Sequence, residues 1–249
     1  MSESTIFNQL NTMRLRGFAT GLREQIQGAS HFDDMNFLER LGFLLQREMD
    51  YRQLLKTQFL RGKAKLKLNA TVEAIDFSQS SRLNKAEILR LSSCEFIRKF
   101  QNLLITGPTG VGKTFLGCAL ADRALQNGIP TRYIRASLLY QELKEARQQD
   151  RYQKKLQEFM RVEFLILDDF GLEPLNHQQA IDLLEIMDQK VHRGSVAILT
   201  QISLSLWPKI IPEAALAEAI LDRFIHTAIQ IPMKGESMRK LSSSNSISS

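Results

Sequence analysis

Residues 107–114 read Gly-Pro-Thr-Gly-Val-Gly-Lys-Thr, and their surroundings leave few folds open. A strand-like run, Asn102 to Thr106, precedes them, and a helix-like run, Phe115 to Asp122, follows. Strand, glycine-rich loop and helix in that order form a phosphate-binding loop. Gly107, Gly110 and Gly112 let the backbone turn tightly and present its N–H groups to phosphate oxygens, with Pro108, Thr109 and Val111 completing the loop. The N-terminal end of the following helix adds positive potential. Lys113 brings a point charge to the outer phosphates, and Thr114 offers a hydroxyl to Mg²⁺.

Such a loop needs an acid for the metal and another for water. Val162 to Leu167 is an apolar, strand-like run that ends in Asp168-Asp169. Strand ends in open α/β sheets face the ligand crevice, which puts Asp168 in reach of Mg²⁺ and Asp169 in reach of an attacking water. The alternative is a helix cap, because Phe170-Gly171 opens a turn. Thr131 to Arg135 forms another strand between the two motifs, and a helix from Ser137 to about Arg147 follows it. The phosphate-loop strand and the acidic strand are therefore expected to be separated in the sheet. Ser195 to Leu199 is a further strand, ending in Thr200-Gln201, and His226 to Ile231 is the last. Gln201 is either a γ-phosphate or water contact or an ordinary turn residue. The expected fold is α/β: a five-stranded, mostly parallel sheet in the order 5-1-4-3-2, flanked by helices.

The chain of 249 residues has a formal net charge of +6, and most of the excess lies in its first hundred residues. Tyr51 to Leu68 is the densest part, with Arg61, Lys63, Lys65 and Lys67 at its end and no acid. Basic runs attract polyanions by neutralising phosphates and releasing counterions; the alternative is a solvated helix face. Lys154 and Lys155 add charge before the acidic strand. Leu38, Leu41, Leu44, Leu45 and Met49 recur at helical spacing, and no proline occurs before Pro108. Asn69 to Arg82 breaks the helical signals, with Ile75 and Phe77 as apolar anchors, and a second helical pattern runs from Asn84 to Lys99. The expected domains are a helical N-terminal domain (1–68), a nucleotide-binding domain (69–240) and a disordered tail (241–249).

Two cysteines, Cys94 and Cys118, exclude a disulfide scaffold and a four-cysteine zinc site. Four scattered histidines argue against a histidine-built metal site. No run of 18 apolar residues predicts a membrane span, and no apolar leader predicts secretion, so a cytoplasmic location is the default expectation. No helix-turn-helix or zinc-finger pattern occurs, nor any separate three-carboxylate cluster for DNA cutting.

Six stretches, the loop among them, resemble the IstB-like ATP-binding proteins, ATPase subunits of IS21-type insertion sequences within the AAA+ superfamily. They are ATVEAIDF at 70–77, LNKAEILRL at 83–91, GPTGVGKTFLGCAL at 107–120, LILDDFG at 165–171, LAEAILDRFIH at 216–226 and KGESMRK at 234–240. The resemblance implies an ATPase using ATP and Mg²⁺, with Asp168 as the metal-binding acid and Asp169 as the water-polarising one. It puts Gln201 at the first sensor and Arg223 at the arginine finger that completes a neighbour's site; a surface salt bridge is the alternative for Arg223. Ser237 and Arg239 fall in the family's Gly-x-Ser-x-Arg block, with Arg239 as a candidate nucleotide-sensing arginine. The resemblance also implies duplex-DNA binding without much sequence preference, assembly in the ATP state into a ring or helical multimer, and recruitment of a partner transposase. The alternative within the same fold is a helicase-loader-type replication ATPase.

Overall fold

A computed structural model describes residues 2–77 and 83–235. Ser237, Arg239 and the tail from 241 lie outside the described residues. The chain divides into two compact units at Phe59/Leu60.

The first unit is helical: α1 (Glu3–Thr12), α2 (Arg16–Gln27), the single turn α3 (Ala29–Phe32) and most of α4 (Phe37–Ala64). Ser2 caps α1 by accepting the Thr5 N–H. At Gly17 on α2, a methyl group would overlap the backbone of Arg47 and Glu48, so the absent side chain permits close α2–α4 contact. Glu48 then reaches the Phe18 N–H across 3.0 Å and Arg52 Nε across 2.7 Å. The apolar series expected on α4 divides: Leu44 is buried, whereas Leu38, Leu45 and Met49 are exposed.

The second unit takes the last turn of α4, which ends the smaller unit nine residues before the expected boundary at 68. Ala64 is fully buried there, and Arg61 Nε donates to the buried Asp122 carboxylate across 2.9 Å. The helical pattern at 84–99 forms α5 (Lys85–Ser92) and α6 (Glu95–Arg98) instead of one helix. Cys94 breaks it with a left-handed φ of 61°. Asn84 starts α5 by accepting the Ala86 and Glu87 N–H groups.

The remainder alternates strands and helices: β1 (Leu103–Thr106), α7 (Lys113–Gln126), β2 (Thr131–Arg135), α8 (Ala136–Gln148), α9 (Tyr152–Met160), β3 (Phe164–Phe170), α10 (His177–Lys190) and β4 (Ser195–Thr200), then α11 (Trp207–Ile210), α12 (Ala214–Ile225) and β5 (Ile229–Pro232). The five strands pair in the order β2-β3-β4-β1-β5, every pair parallel. This is the expected order read from the opposite edge, and β4 separates the phosphate-loop strand from the acidic one.

Strand alternation builds two core layers. Leu103, Ile105, Phe164, Ile166 and Leu199 face one layer with Leu120 of α7 and Ile88 of α5. Leu104, Leu165, Leu167, Val196 and Ile198 face the other with Leu183 of α10, Trp207 and Phe224. Coverage on both faces explains why β1, β3 and β4 read as continuous apolar runs. Each such side chain contributes roughly 1.5–3 kcal/mol by burial. Asn102 fixes the lower edge: its side-chain amide donates to Phe224 O at the end of α12, its side-chain carbonyl accepts the Val196 N–H at the start of β4, and its backbone carbonyl accepts the Ile229 N–H at the start of β5. The phosphate loop and the Asp168-Asp169 pair thus lie at the opposite, C-terminal edge of one sheet.

Candidate active site

The loop after β1 is held by its neighbours in the sheet. Gly107 N–H donates to Thr200 O across 3.2 Å, and Met233 N–H donates to Thr106 O across 2.7 Å. A methyl group on Gly107 would overlap the Met233 carbonyl, so the backbones approach to a distance only glycine allows. Gly112, with φ of 99°, turns the chain into α7, whose first two residues are Lys113 and Thr114. Lys113 Nζ donates to Gly107 O (2.7 Å) and Pro108 O (2.9 Å), which keeps the ammonium over the loop. Burial lowers its pKa from the ordinary lysine value, while the Asp168 and Asp169 carboxylates act in the opposite sense.

Asp168 is 1% exposed and carries three donors. Thr114 Oγ1 reaches its Oδ2 across 2.7 Å, Tyr133 OH reaches the same oxygen across 2.6 Å, and Asp169 N–H reaches Oδ1 across 2.8 Å. Burial, then the adjoining Asp168 carboxylate, holds the Tyr133 phenol well above its usual range, so it stays a protonated donor. Thr114 and Asp168 supply the hard oxygen donors that Mg²⁺ takes, and no His/Cys/Asp/Glu cluster competes among the described residues.

The β3–β4 register shifts between Leu167 and Phe170, and Asp169 within that irregularity has φ of 57°. The half-buried Asp169 carboxylate has Arg135 Nε 3.6 Å from its Oδ2. Gln201, just past β4, accepts the Thr109 hydroxyl across 2.7 Å, linking loop and strand end. Beside the loop, Ala74, Ile75, Val111, Phe115 and Met233 line an apolar cavity of about 180 Å³.

The structure thus brings together Lys113, Thr114, Asp168, Asp169 and Gln201. It adds Tyr133, Arg135 and the lining of the apolar cavity, of which sequence reasoning names Val111 as a loop residue and Ile75 as an apolar anchor. The signal for Tyr133 and Arg135 was their place on β2, the strand paired with β3. Arg223 stands elsewhere, on α12, where its Nε donates to Asp188 of α10 and its Nη1 to Ala219 O at 3.0 Å. Among the basic candidates, Arg61 is paired with Asp122 and Lys155 with Glu158 and Glu142, while Lys65, Lys67 and Lys154 are exposed. Arg132 joins the two basic segments: it donates to Lys63 O at 3.2 Å and lies 3.8 Å from Glu142.

A parallel sheet of this order, with a phosphate loop after β1 and paired acids beyond β4 on β3, defines a P-loop nucleotide-binding fold of the AAA+ type. The profile described as IstB-like ATP binding protein matches residues 8–246, and the chain belongs to that family. It is 38% identical over 233 residues to insertion sequence ATP-binding protein y4pL of Sinorhizobium fredii (strain NBRC 101917 / NGR234), covering 94% of this chain and 95% of that one. It is 39% identical over 207 residues to the ATP-binding protein of insertion sequence IS1162 from Pseudomonas fluorescens, covering 82% and 88%. Among solved structures, the DnaC helicase loader matches with a TM-score of 0.56 and 23% identity, over 69% of this chain and 100% of that one. That likeness concerns the fold.

Proposed function

We propose that this chain hydrolyses ATP and uses its ATP state to assemble on duplex DNA and recruit or activate a partner transposase. The observation that carries the ATPase reading is the meeting of the Thr114 hydroxyl and the Asp168 carboxylate next to a loop-held Lys113, with Asp169 following in the chain. In this reading the loop amides and Lys113 bind the phosphates, and Thr114 with Asp168 holds Mg²⁺. The ion, when bound, neutralises charge developing on the phosphate oxygens. Asp169 orients and polarises water, Gln201 contacts the outer phosphate or that water, and the apolar cavity takes the base. Arg223 completes a neighbouring subunit's site, which requires a ring or helical multimer.

Support for DNA binding comes from charge. The 61–67 segment and the start of α9 approach one another along β2, so basic groups distant in sequence share one side of the molecule. Lys65, Lys67 and Lys154 are suited to phosphate contacts, which position a duplex without reading its sequence. The transposase reading is supported by family membership and by insertion-sequence relatives matched along most of their length. Those relatives favour it over a helicase-loading role.

Turnover of ATP with Mg²⁺, measured with and without duplex DNA and an insertion-sequence transposase, tests the proposal. Mg²⁺-dependent release of phosphate, together with transposase retention on ATP-bound DNA complexes, is expected. Absence of turnover under all these conditions would overturn the enzymatic part, and absence of retention the recruitment part.

A further inference from the structure

Asp168 is held from two sides. Thr114 is the side expected of a phosphate-loop residue. The other donor, Tyr133, comes from a different strand, and nothing in the nucleotide-binding motifs requires it. Tyr133 sits in the middle of β2, the edge strand next to β3, and is 6% exposed. Its ring packs in the same core layer as Cys118, Phe164 and Ile166, which fixes the ring before any ligand arrives. Its hydroxyl therefore approaches Asp168 Oδ2 from a preset direction across 2.6 Å.

A carboxylate has about four lone-pair sites. Thr114 and Tyr133 share Oδ2, and the Asp169 N–H takes one site on Oδ1. Three donors from three elements leave the carboxylate plane little freedom to rotate. Without Tyr133, Oδ2 would keep only the hydroxyl of Thr114, a side chain that also has to serve the metal.

We propose that Tyr133 is a positioning residue for the metal site: its hydroxyl orients the Asp168 carboxylate so that Thr114 and Asp168 together accept Mg²⁺. The inference rests on the reading of Asp168 as the metal-holding acid. Partners behind a metal ligand fix its orientation, and their loss costs about 10- to 100-fold in metal affinity.

The test measures binding of a fluorescent ATP analogue to the full chain as free Mg²⁺ is varied, with Mn²⁺ binding to the same complexes followed by electron paramagnetic resonance. Tyr133→Phe keeps the packed ring and removes only the donor. It should raise the Mg²⁺ midpoint by about tenfold and weaken Mn²⁺ binding similarly, while leaving metal-free nucleotide affinity as in the wild type. Ile134→Val, a packing change on the opposite face of the same strand, should leave both midpoints unmoved. Asp168→Asn should abolish the metal response altogether. If Asp168→Asn keeps that response, the underlying metal reading fails. If Asp168→Asn loses it but Tyr133→Phe keeps the wild-type midpoint or a lower one, the positioning role alone is overturned. An equal shift in Ile134→Val would assign the effect to packing and likewise overturn it.

Discussion

Arg223 and Asp188 form an ion pair within one chain, joining the last turns of α12 and α10. The arginine assigned to a neighbour's nucleotide site is thus already engaged, and its Nη1 is held by Ala219 O at 3.0 Å. An arginine acting between subunits has to exchange Asp188 for the neighbour's phosphates. Arg223→Ala should therefore bind ATP normally and hydrolyse it at least tenfold more slowly. Mixing it with Asp169→Asn chains should restore part of the turnover, because one type of junction then pairs an intact acid with an intact arginine. Absence of rescue at every ratio, with monomers by light scattering in ATP and DNA, would assign Arg223 to its own chain.

Lys113 and Asp169 should separate binding from chemistry. Lys113→Ala removes the charge over the loop and should abolish most ATP binding. Asp169→Asn keeps the shape at a left-handed backbone position that asparagine tolerates well, so it should retain binding and lose turnover. Nucleotide affinity beside a phosphate-release assay checks both, and wild-type turnover in Asp169→Asn would remove the role given to that acid.

Lys190 gives a pH signature of the fold. It is 3% exposed and donates to the Met160 and Val162 carbonyls at the end of α9. Burial, against a smaller opposing effect of Glu163, lowers its pKa from 10.5 to about 8. Between those values the unfolded chain binds the extra proton, so stability should rise with pH across that window. From about pH 7.5 to about pH 9.5 the gain is on the order of 2 kcal/mol. Urea unfolding at the two pH values should show this gain in the wild type and not in Lys190→Met.

The basic candidates should divide by their partners. Charge reversal of Lys65 and Lys67 should weaken unrelated duplexes about equally and lower the salt slope by about 1 per lost contact. Arg61→Ala should chiefly lower the melting temperature, because it strips the ion partner from the buried Asp122. With the arginine half exposed, that loss is about 1–3 kcal/mol. Equal effects of both changes on DNA affinity, with stability untouched, would contradict this division.

The parts visible in the sequence are those set by local spacing. The loop, the paired acids at a strand end and the alternating strand faces are local patterns, and the order of strands and motifs led to the sheet order. The family resemblance supplied roles for Gln201 and Arg223 that spacing alone left open. Contacts between residues far apart stayed hidden. The Arg61–Asp122 pair made a residue of an apparently solvated run part of the packing. Cys94 breaks a helix with a left-handed backbone where no glycine or proline marks the stop. On α4, spacing defined the helix but not what covers it, and Leu38, Leu45 and Met49 proved exposed. Tyr133 and Arg135 meet the two acids only because β2 pairs with β3.

The central claim is that ATP occupancy controls assembly on DNA. Its most direct measurement is the equilibrium affinity for two unrelated duplexes with ATP, with ADP and without nucleotide, using the wild type and Asp169→Asn. Tight binding of both duplexes in ATP, weaker binding in the other two conditions, and persistent ATP-state complexes in Asp169→Asn are predicted. Affinity that is the same in all three nucleotide conditions would contradict the account.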